Sequence, residues 1–132
     1  MTGHANLCPC NSGQAFISCC GKYHSGHSIP ETAEQLMRSR YSAYVNCNAD
    51  YLLETLHPEK HTTSILSELK ESFKGIVWSG LQILELTDGE VKDKTGIVSF
   101  QAFYETAEGK FKMVEKSFFT KVAGQWFYKE AL

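Results

Sequence analysis

The chain has 132 residues, of which 42% are apolar and 21% charged, as is typical of one soluble globular domain with a real core. Its formal net charge of −2 and its pI of about 6.2 provide no general attraction to nucleic acid, which we do not expect as a partner. No apolar run approaches the roughly 20 residues of a membrane span, and residues 1–6 contain no apolar signal-peptide core, so we expect a cytoplasmic protein with no membrane contact.

Four of the five cysteines lie close together, where Cys8, Cys10, Cys19 and Cys20 form a C-x-C-x8-C-C pattern. Zinc prefers four tetrahedral sulfur or nitrogen ligands, and two close pairs separated by a turn supply them most simply. Disulfides are disfavoured, because the compartment is expected to be reducing and a bond between the adjacent cysteines would be strained. The pattern therefore predicts a structural zinc site in a small knuckle, with redox-active or unligated thiols as the alternatives.

The segment between the two cysteine pairs is suited to a sharp turn. In Asn11-Ser12-Gly13, Asn and Gly tolerate positive φ and Ser can bond a nearby amide. Residues 14–18 are then expected to form one helical turn that returns the second pair to the metal. Residues 22–27 read as a linker, in which His24 and His27 are either polar linker residues or replacements for a cysteine ligand.

Three helices are predicted after the linker. The first should run over about residues 30–46, because Ser28 and Glu31 fit a capping box and Pro30 suits a first helical turn. The second and third are expected at about residues 49–56 and 62–73.

Arg40 is the anomaly of the first predicted helix, because it lies near the middle of its apolar face. A guanidinium cannot give up its proton, so a buried one needs a partner. The helix pattern therefore predicts a buried arginine with a polar or charged neighbour from elsewhere in the chain.

From residue 77 onward the apolar pattern changes to a period of two, which indicates strands. Four are predicted, at residues 77–86, 96–106, 111–122 and 125–131, and the last two connections look like hairpins. Helices followed by a run of strands favour an α+β fold with an antiparallel sheet.

The third strand supplies a candidate partner for Arg40. Its face with Phe111, Met113, Glu115, Ser117 and Phe119 is expected to point into the interior, which places the Glu115 carboxylate there. Arginine and a carboxylate often pair in bidentate fashion. Two interpretations stay open, namely a buried structural ion pair and the polar floor of a ligand pocket.

A pocket of that kind would have further walls. Aromatic residues and a histidine could line it, although core packing for the tryptophans and a helix-end role for the histidine are equally simple explanations. The candidate ligand-pocket residues are Arg40, Tyr44, His57, Trp78, Glu115, Ser117 and Trp126.

Several segments resemble known proteins. The cysteine pattern with Gly21 resembles the SEC-C motif, a zinc knuckle found at the C-terminus of the SecA translocation ATPase. Residues 36–44, Tyr51-Leu52 with His57-Pro58, and 115–119 ahead of Gly124-Gln125-Trp126 are similar to the YchJ-like family of uncharacterised bacterial proteins. The resemblance implies a SEC-C-type zinc knuckle and linker over residues 1–27, followed by a nuclear-transport-factor-like domain over residues 28–132.

That fold is a cone-shaped, curved antiparallel sheet with three helices, as in ketosteroid isomerase, and the family implies no particular activity. Our first hypothesis is a zinc-binding cytoplasmic accessory protein whose knuckle contacts a protein partner, with Phe16 and Ile17 as an apolar contact or as the docking face of the knuckle. The alternative is a small-molecule binder or enzyme that uses the cone interior, and the sequence leaves catalytic activity open.

Overall fold

A computed structural model describes residues 6–132, so residues 1–5, which carry most of the signal-peptide expectation, lie outside the described residues. Helices α1 to α4 are Cys20–His24, Ala33–Val45, Ala49–Glu54 and Ile65–Ser72, and strands β1 to β4 are Val77–Asp88, Thr95–Thr106, Gly109–Val122 and Gln125–Ala131. Two short 3-10 turns are Phe16–Ser18 and Pro58–Lys60. None of the helices within residues 6–132 is long and apolar enough to cross a membrane.

The four strands form one antiparallel sheet in the order β1-β2-β3-β4, which confirms the α+β prediction and both predicted hairpins. The strand ends differ from the predicted ones by no more than two residues. Irregular pairing occurs at Trp78/Gly80 and Ile83/Glu85 in β1, and opposite Phe118/Phe119 in β4, where Lys129 is the extra residue. Such bulges bend a strand and increase its twist, so they curve the sheet around the helix packed on it.

Helix α2 packs on one face of the sheet and forms the main core with it. The fully buried large side chains of this core are Leu36, Val98, Phe119 and Trp126. Burial of such side chains contributes about 1.5–3 kcal/mol each to the folded state. A smaller cluster on another side of α2 contains Ala43, Tyr51 and Leu52, and α4 packs against it. Helix α2 therefore lies between the two clusters. Its residue Arg40 is buried, which confirms the prediction of a buried arginine.

The capping prediction for α2 was wrong. Thr32 is the N-cap residue, and its hydroxyl accepts a hydrogen bond from the Gln35 backbone N–H at 3.1 Å. The helix begins at Ala33, whose own N–H donates to the Gly89 carbonyl at 2.9 Å. The start of α2 is thus fixed to the end of β1, and Ser28 lies upstream in chain without regular secondary structure.

The predicted linker is also partly helical. Helix α1 occupies Cys20–His24, so it begins within the second cysteine pair, with Cys19 as its N-cap residue. A helix of five residues is too short to produce a periodic apolar pattern, so the sequence carried no signal for it.

Candidate metal centre and interior cavity

The four clustered cysteines come together as one group. The Sγ atoms of Cys8, Cys10, Cys19 and Cys20 all lie within 4.8 Å of one another, and no disulfide joins any described cysteine. Three of the four residues are buried and Cys19 is half-buried. A tetrahedron of sulfur atoms bound at about 2.3 Å has edges of about 3.8 Å, close to the 3.7 Å between the sulfurs of Cys10 and Cys19. The donor set therefore fits a metal ion that prefers four sulfur ligands.

The turn between the cysteine pairs has the conformation that its residues favour. Asn11 has φ 65° and Gly13 has φ 86°, so both adopt the left-handed backbone expected of them. The Cys8 N–H donates to the Gln14 carbonyl at 2.8 Å and closes the loop. The Ser12 hydroxyl lies 3.2 Å from the Cys19 sulfur, where it can donate to a thiolate. The turn thus folds the chain back on itself and stabilises charge on one of the sulfurs.

The thiols influence one another strongly. Hydrogen bonding with Cys10 and Cys20 lowers the pKa of the Cys8 thiol far below its ordinary value. Hydrogen bonding with Cys10 and Cys8 raises the pKa of the Cys20 thiol far above it. Metal ligands must be thiolates, and four thiolates at this spacing repel one another unless a cation neutralises them. A bound cation would therefore favour the deprotonation of all four thiols.

The knuckle, defined as residues 7–24, is docked on the larger domain. The Asn11 side-chain oxygen accepts a hydrogen bond from the Leu81 N–H at 2.9 Å, next to the first bulge of β1. On the α2 side, Arg38 donates from Nη1 to the Cys10 carbonyl at 2.8 Å, and the Cys8 sulfur lies 3.5 Å from the Ser42 hydroxyl. Because Cys8, Cys10 and Cys20 also belong to the main core cluster, the thiol group is continuous with the hydrophobic core.

Other residues in and directly after the knuckle take separate roles. His24 bonds the Ser39 carbonyl through Nε2 at 2.8 Å and its ring lies 4.5 Å from that of Tyr51, so it helps to dock the knuckle. His27 bonds the Ser25 hydroxyl. Within residues 6–132, the group of possible metal ligands contains the four cysteines and neither of these histidines. Phe16 packs on the core, whereas Ile17 is 78% exposed, so the docking face expected of this apolar pair contains Phe16 but not Ile17.

A cavity of about 200 Å³ lies between α2 and the concave face of the sheet. Five of the seven candidate pocket residues line it, namely Arg40, Tyr44, Trp78, Glu115 and Ser117. The predicted inward face of β3 is confirmed, since Glu115 and Ser117 lie there. The aromatic rings of Tyr41 and Tyr44 each stand 6.2 Å from that of Trp78, and form one wall.

Arg40 does not form an ion pair with Glu115, so the expected direct pairing was wrong. The guanidinium is 6% exposed and its Nη1 donates to the Leu52 carbonyl at 2.8 Å and to the Thr55 hydroxyl at 2.7 Å. Leu52 lies in the last turn of α3, where backbone carbonyls lack partners within the helix and carry partial negative charge. Burial lowers the pKa of Arg40, which nonetheless stays charged at neutral pH.

Glu115 is held by two hydroxyl groups instead. Its Oε2 accepts from the Ser117 hydroxyl at 2.6 Å and from the Tyr128 hydroxyl at 3.2 Å. The Tyr128 ring also lies under the guanidinium of Arg40, with 4.7 Å between the charge centre and the ring centroid. Burial, together with the Glu115 carboxylate, raises the pKa of Tyr128, so its hydroxyl remains a donor. Tyr128 thus links the two charged groups that sequence reasoning had joined directly.

Tyr128 and Thr55 were missed in the sequence because their positions depend on an unusual contact. The chain after α3 runs alongside β4, where the Tyr128 N–H donates to the Thr55 carbonyl at 2.9 Å and the His57 N–H donates to the Tyr128 carbonyl at 2.8 Å. This short parallel pairing brings the end of α3 and β4 to the same side of Arg40. The sequence signal that could have pointed to Tyr128 is its place two residues after Trp126, which puts both side chains on the same face of the last strand.

The other two candidate residues lie away from the cavity. His57 precedes the 3-10 turn Pro58–Lys60, and its Nδ1 accepts a hydrogen bond from the Glu59 N–H at 3.1 Å. Trp126 is 2% exposed in the core, and its indole N–H donates to the Glu31 carbonyl at 3.0 Å. Trp126 thus has the core-packing role considered for it, whereas His57 caps the start of the 3-10 turn and does not end α3, which stops at Glu54.

Comparison with known proteins places the chain in a family. A family model described as "YchJ, middle NTF2-like domain", where NTF2-like stands for nuclear-transport-factor-like, matches residues 32–131. This chain belongs to the YchJ family. The match confirms the predicted fold family, while the proposed boundary at residue 28 stays a prediction.

Two bacterial relatives of the YchJ-family chain carry the name UPF0225 protein. One, from Haemophilus influenzae strain 86-028NP, is 40% identical over 121 residues, which are 92% of this chain and 74% of the relative. The other, from Streptomyces coelicolor, is 38% identical over 123 residues, which are 93% of this chain and 92% of the relative.

Two solved structures are similar along nearly the whole chain. The solution structure of RPA3114, a SEC-C motif containing protein from Rhodopseudomonas palustris, has a TM-score of 0.83 and 28% identity, and the match covers 95% of this chain and 96% of that one. The crystal structure of a SEC-C motif containing protein from Psychrobacter arcticus has a TM-score of 0.80 and 25% identity, with 98% and 84% coverage. The knuckle and the larger domain therefore recur together in similar proteins.

Proposed function

We propose that this YchJ-family chain is a cytoplasmic accessory protein in which the knuckle holds one structural zinc ion and contacts a protein partner. The observation that carries the zinc assignment is the mutual approach of the four Sγ atoms to within 4.8 Å. In structural sites zinc is almost always bound by four ligands in a tetrahedron, and four cysteines are a common ligand set. A site with four sulfur ligands leaves no open coordination position, so the metal has no catalytic role in this proposal.

The metal would stabilise the chain by fixing the knuckle against α2 and β1. The knuckle is small: besides its cysteines it contributes Phe16 to the main core and Tyr23 to the smaller cluster, which is too little apolar surface to hold such a segment folded by itself. Zinc binding supplies that missing free energy in small metal-dependent folds. The hydrogen bonds from Arg38 to Cys10 and from Leu81 to Asn11 then form between parts that the metal holds in place.

Metal analysis of the purified full chain tests the zinc assignment. We expect about one zinc ion per chain, lost in Cys19→Ser and retained in Cys47→Ser. Cys47 is a matched control, because it is an exposed cysteine outside the thiol group. A natively purified chain without metal, or equal zinc loss in the two variants, would contradict the proposal.

The partner proposal relies on the apolar residues that the knuckle leaves outside. Ile17 is 78% exposed and Leu7 is 53% exposed, while their neighbour Phe16 is packed inward. Exposed apolar side chains on a rigid, metal-fixed segment are suited to contact with another protein. The net charge of −2 and the absence of lysine between the cysteine pairs favour a protein over a nucleic acid or ribosomal RNA.

Site-specific photo-crosslinking in cells tests the contact. A crosslinking residue at position 17 should give one discrete product, which disappears when Cys19→Ser is added. The same residue at Gln14, an exposed polar position in the same knuckle, is the control and should give none. Identical products from positions 14 and 17, or products that persist without the metal ligand, would refute a specific contact through Ile17.

A further inference from the structure

The cavity behind α2 has a charged group with unused hydrogen-bonding capacity. Arg40 is 6% exposed and lines the cavity, and only its Nη1 atom is engaged, by Leu52 and Thr55. The N–H groups on Nε and Nη2 find no acceptor among residues 6–132. These two nitrogens form one edge of the guanidinium, and that edge matches the two oxygens of a carboxylate. A buried cation with this edge unoccupied is suited to an anionic ligand.

Glu115 presents the complementary feature. Both of its hydrogen bonds, from Ser117 and Tyr128, end on Oε2, so Oε1 accepts nothing from the described part of the chain. The residue lines the same cavity as Arg40. In an apolar interior the two opposite charges attract each other strongly, yet Tyr128, stacked on Arg40 and bonded to Glu115, holds them in separate positions. The floor therefore offers a fixed donor edge and a fixed acceptor atom.

Size and wall chemistry limit what could bridge these groups. A volume of about 200 Å³ is somewhat larger than an engineered cavity of about 150 Å³ that takes up benzene. One six-membered ring with small substituents would fill it. Trp78, Tyr41 and Tyr44 supply ring faces and edges, and Met37 and Met113 supply adaptable apolar surface. The walls thus favour an aromatic ring over a flexible polar metabolite.

We propose that this cavity binds a small single-ring aromatic carboxylate that also carries a hydroxyl group. The carboxylate pairs with the Nε and Nη2 edge of Arg40, the ring packs against Trp78, and the hydroxyl donates to Oε1 of Glu115. The carboxylate then pairs with the charge of Arg40, and the neutral ligand hydroxyl gives Oε1 of Glu115 the hydrogen-bond donor that it lacks, so each charged group in the cavity has a partner. The site is separate from the thiol group, so it stands or fails independently of the zinc proposal.

The test is an NMR titration of the metal-loaded full chain. The ligand panel consists of benzoate, 3-hydroxybenzoate, 4-hydroxybenzoate and phenol. The two tryptophans provide an internal comparison, because Trp78 lines the cavity and Trp126 does not. We expect a hydroxybenzoate to shift the Trp78 indole N–H signal saturably, with a dissociation constant at or below about 1 mM, and to leave Trp126 unchanged. Phenol, which lacks the carboxylate, should bind at least about tenfold more weakly.

Two matched variants locate the site. Met113→Trp fills the cavity without touching the hydrogen bonds of Arg40, and should reduce hydroxybenzoate affinity by about tenfold or more. Val114→Trp places the same side chain on the next residue of β3, which is 62% exposed, and should stay within about twofold of wild type. Arg40→Lys keeps the charge but loses the planar edge, so it should weaken hydroxybenzoate more than phenol.

Three results would overturn the proposal. The first is the absence of saturable shifts for every probe up to about 10 mM in wild type. The second is equal affinity in Met113→Trp and Val114→Trp, which would place binding outside the cavity. The third is an Arg40→Lys protein that binds hydroxybenzoate as tightly as wild type. If Arg40→Lys fails to fold, the Met113 and Val114 pair decides the location, and the comparison of hydroxybenzoate with phenol in wild type decides the carboxylate role.

Discussion

Asn11 gives the sharpest test of how the knuckle is attached. Its side-chain oxygen is the acceptor for the N–H of Leu81, a residue that is 6% exposed in β1. Replacing Asn11 by Gly removes the acceptor but keeps a residue that adopts φ 65° without strain. Replacing it by Ala removes the acceptor and also adds strain, because a Cβ disfavours the left-handed region. The two substitutions therefore separate the hydrogen bond from the backbone conformation.

The magnitudes follow from the contact. A buried N–H left without a partner costs about 1–3 kcal/mol, so Asn11→Gly should lower the free energy of unfolding by that amount. Asn11→Ala should cost about 1–2 kcal/mol more, from the left-handed backbone. At about 1.4 kcal/mol per factor of ten, hydrogen exchange at the Leu81 amide should accelerate by about 5- to 150-fold in Asn11→Gly.

The assay combines urea unfolding with amide hydrogen exchange on the metal-loaded chain. Asn11→Asp is the matched control, since it retains an oxygen acceptor and tolerates the same backbone conformation; most of the protection at Leu81 should survive in it. Unchanged exchange at Leu81 in Asn11→Gly would refute the idea that the knuckle docks through this bond. Equal stability of the Gly and Ala variants would refute the strain argument.

Three further predictions concern the larger domain. Ala123 has φ 53° in a two-residue hairpin, so Ala123→Asn should raise the free energy of unfolding by about 1 kcal/mol in urea, and a loss would contradict the turn assignment. Thr55→Val removes an acceptor of Arg40 and should cost about 1.5–3 kcal/mol, whereas exposed Thr62→Val should cost less than about 0.5 kcal/mol; equal effects would argue against the contact. Burial raises the pKa of Tyr41 and of Tyr51 to about 12, against about 10 in an unfolded chain. Their contribution to stability should therefore be present below about pH 10 and be lost as the pH rises towards 12, with tyrosinate absorbance appearing together with unfolding; ionisation of all six tyrosines near pH 10 in a folded chain would contradict it.

The parts of the structure that depend on local pattern were predictable. Cysteine spacing predicted the thiol cluster, since two short pairs and an Asn-Ser-Gly turn leave few other conformations. The alternation of apolar and polar residues predicted the sheet and the inward face of β3, because successive side chains of a strand point to opposite faces. The buried position of Arg40 was predictable from the helical period, because the residue lies on the same helix face as the apolar residues of α2.

The partners of Arg40 could not be predicted in the same way. One is the Leu52 carbonyl, and every residue has a carbonyl, so the sequence does not show which one an arginine will use. The other, Thr55, reaches Arg40 because the chain after α3 pairs with β4, a contact between segments about 70 residues apart. Pairing Arg40 with Glu115 was reasonable by charge, but it ignored that helix ends and hydroxyl groups also satisfy buried charges.

The start of α2 shows a second kind of limit. Ser28 and Glu31 match a capping box by spacing, yet Thr32 is the cap and Ala33 bonds Gly89 across the fold. When two capping sequences lie four residues apart, tertiary contact chooses between them. The docking of the knuckle was unpredictable for a similar reason. The hydrogen bond from Leu81 to Asn11 lies next to a β-bulge, and no local sequence pattern predicts that bulge.

The most direct test of the central claim, a closed zinc site that anchors the knuckle, is X-ray absorption at the zinc edge on the purified full chain. We expect four sulfur neighbours at about 2.3 Å and no nitrogen or oxygen in the first coordination shell. Cys47→Ser should give the same spectrum, because that cysteine lies outside the thiol group. Fewer than four sulfur neighbours, a histidine ligand, or a folded chain that carries no zinc would contradict the zinc assignment.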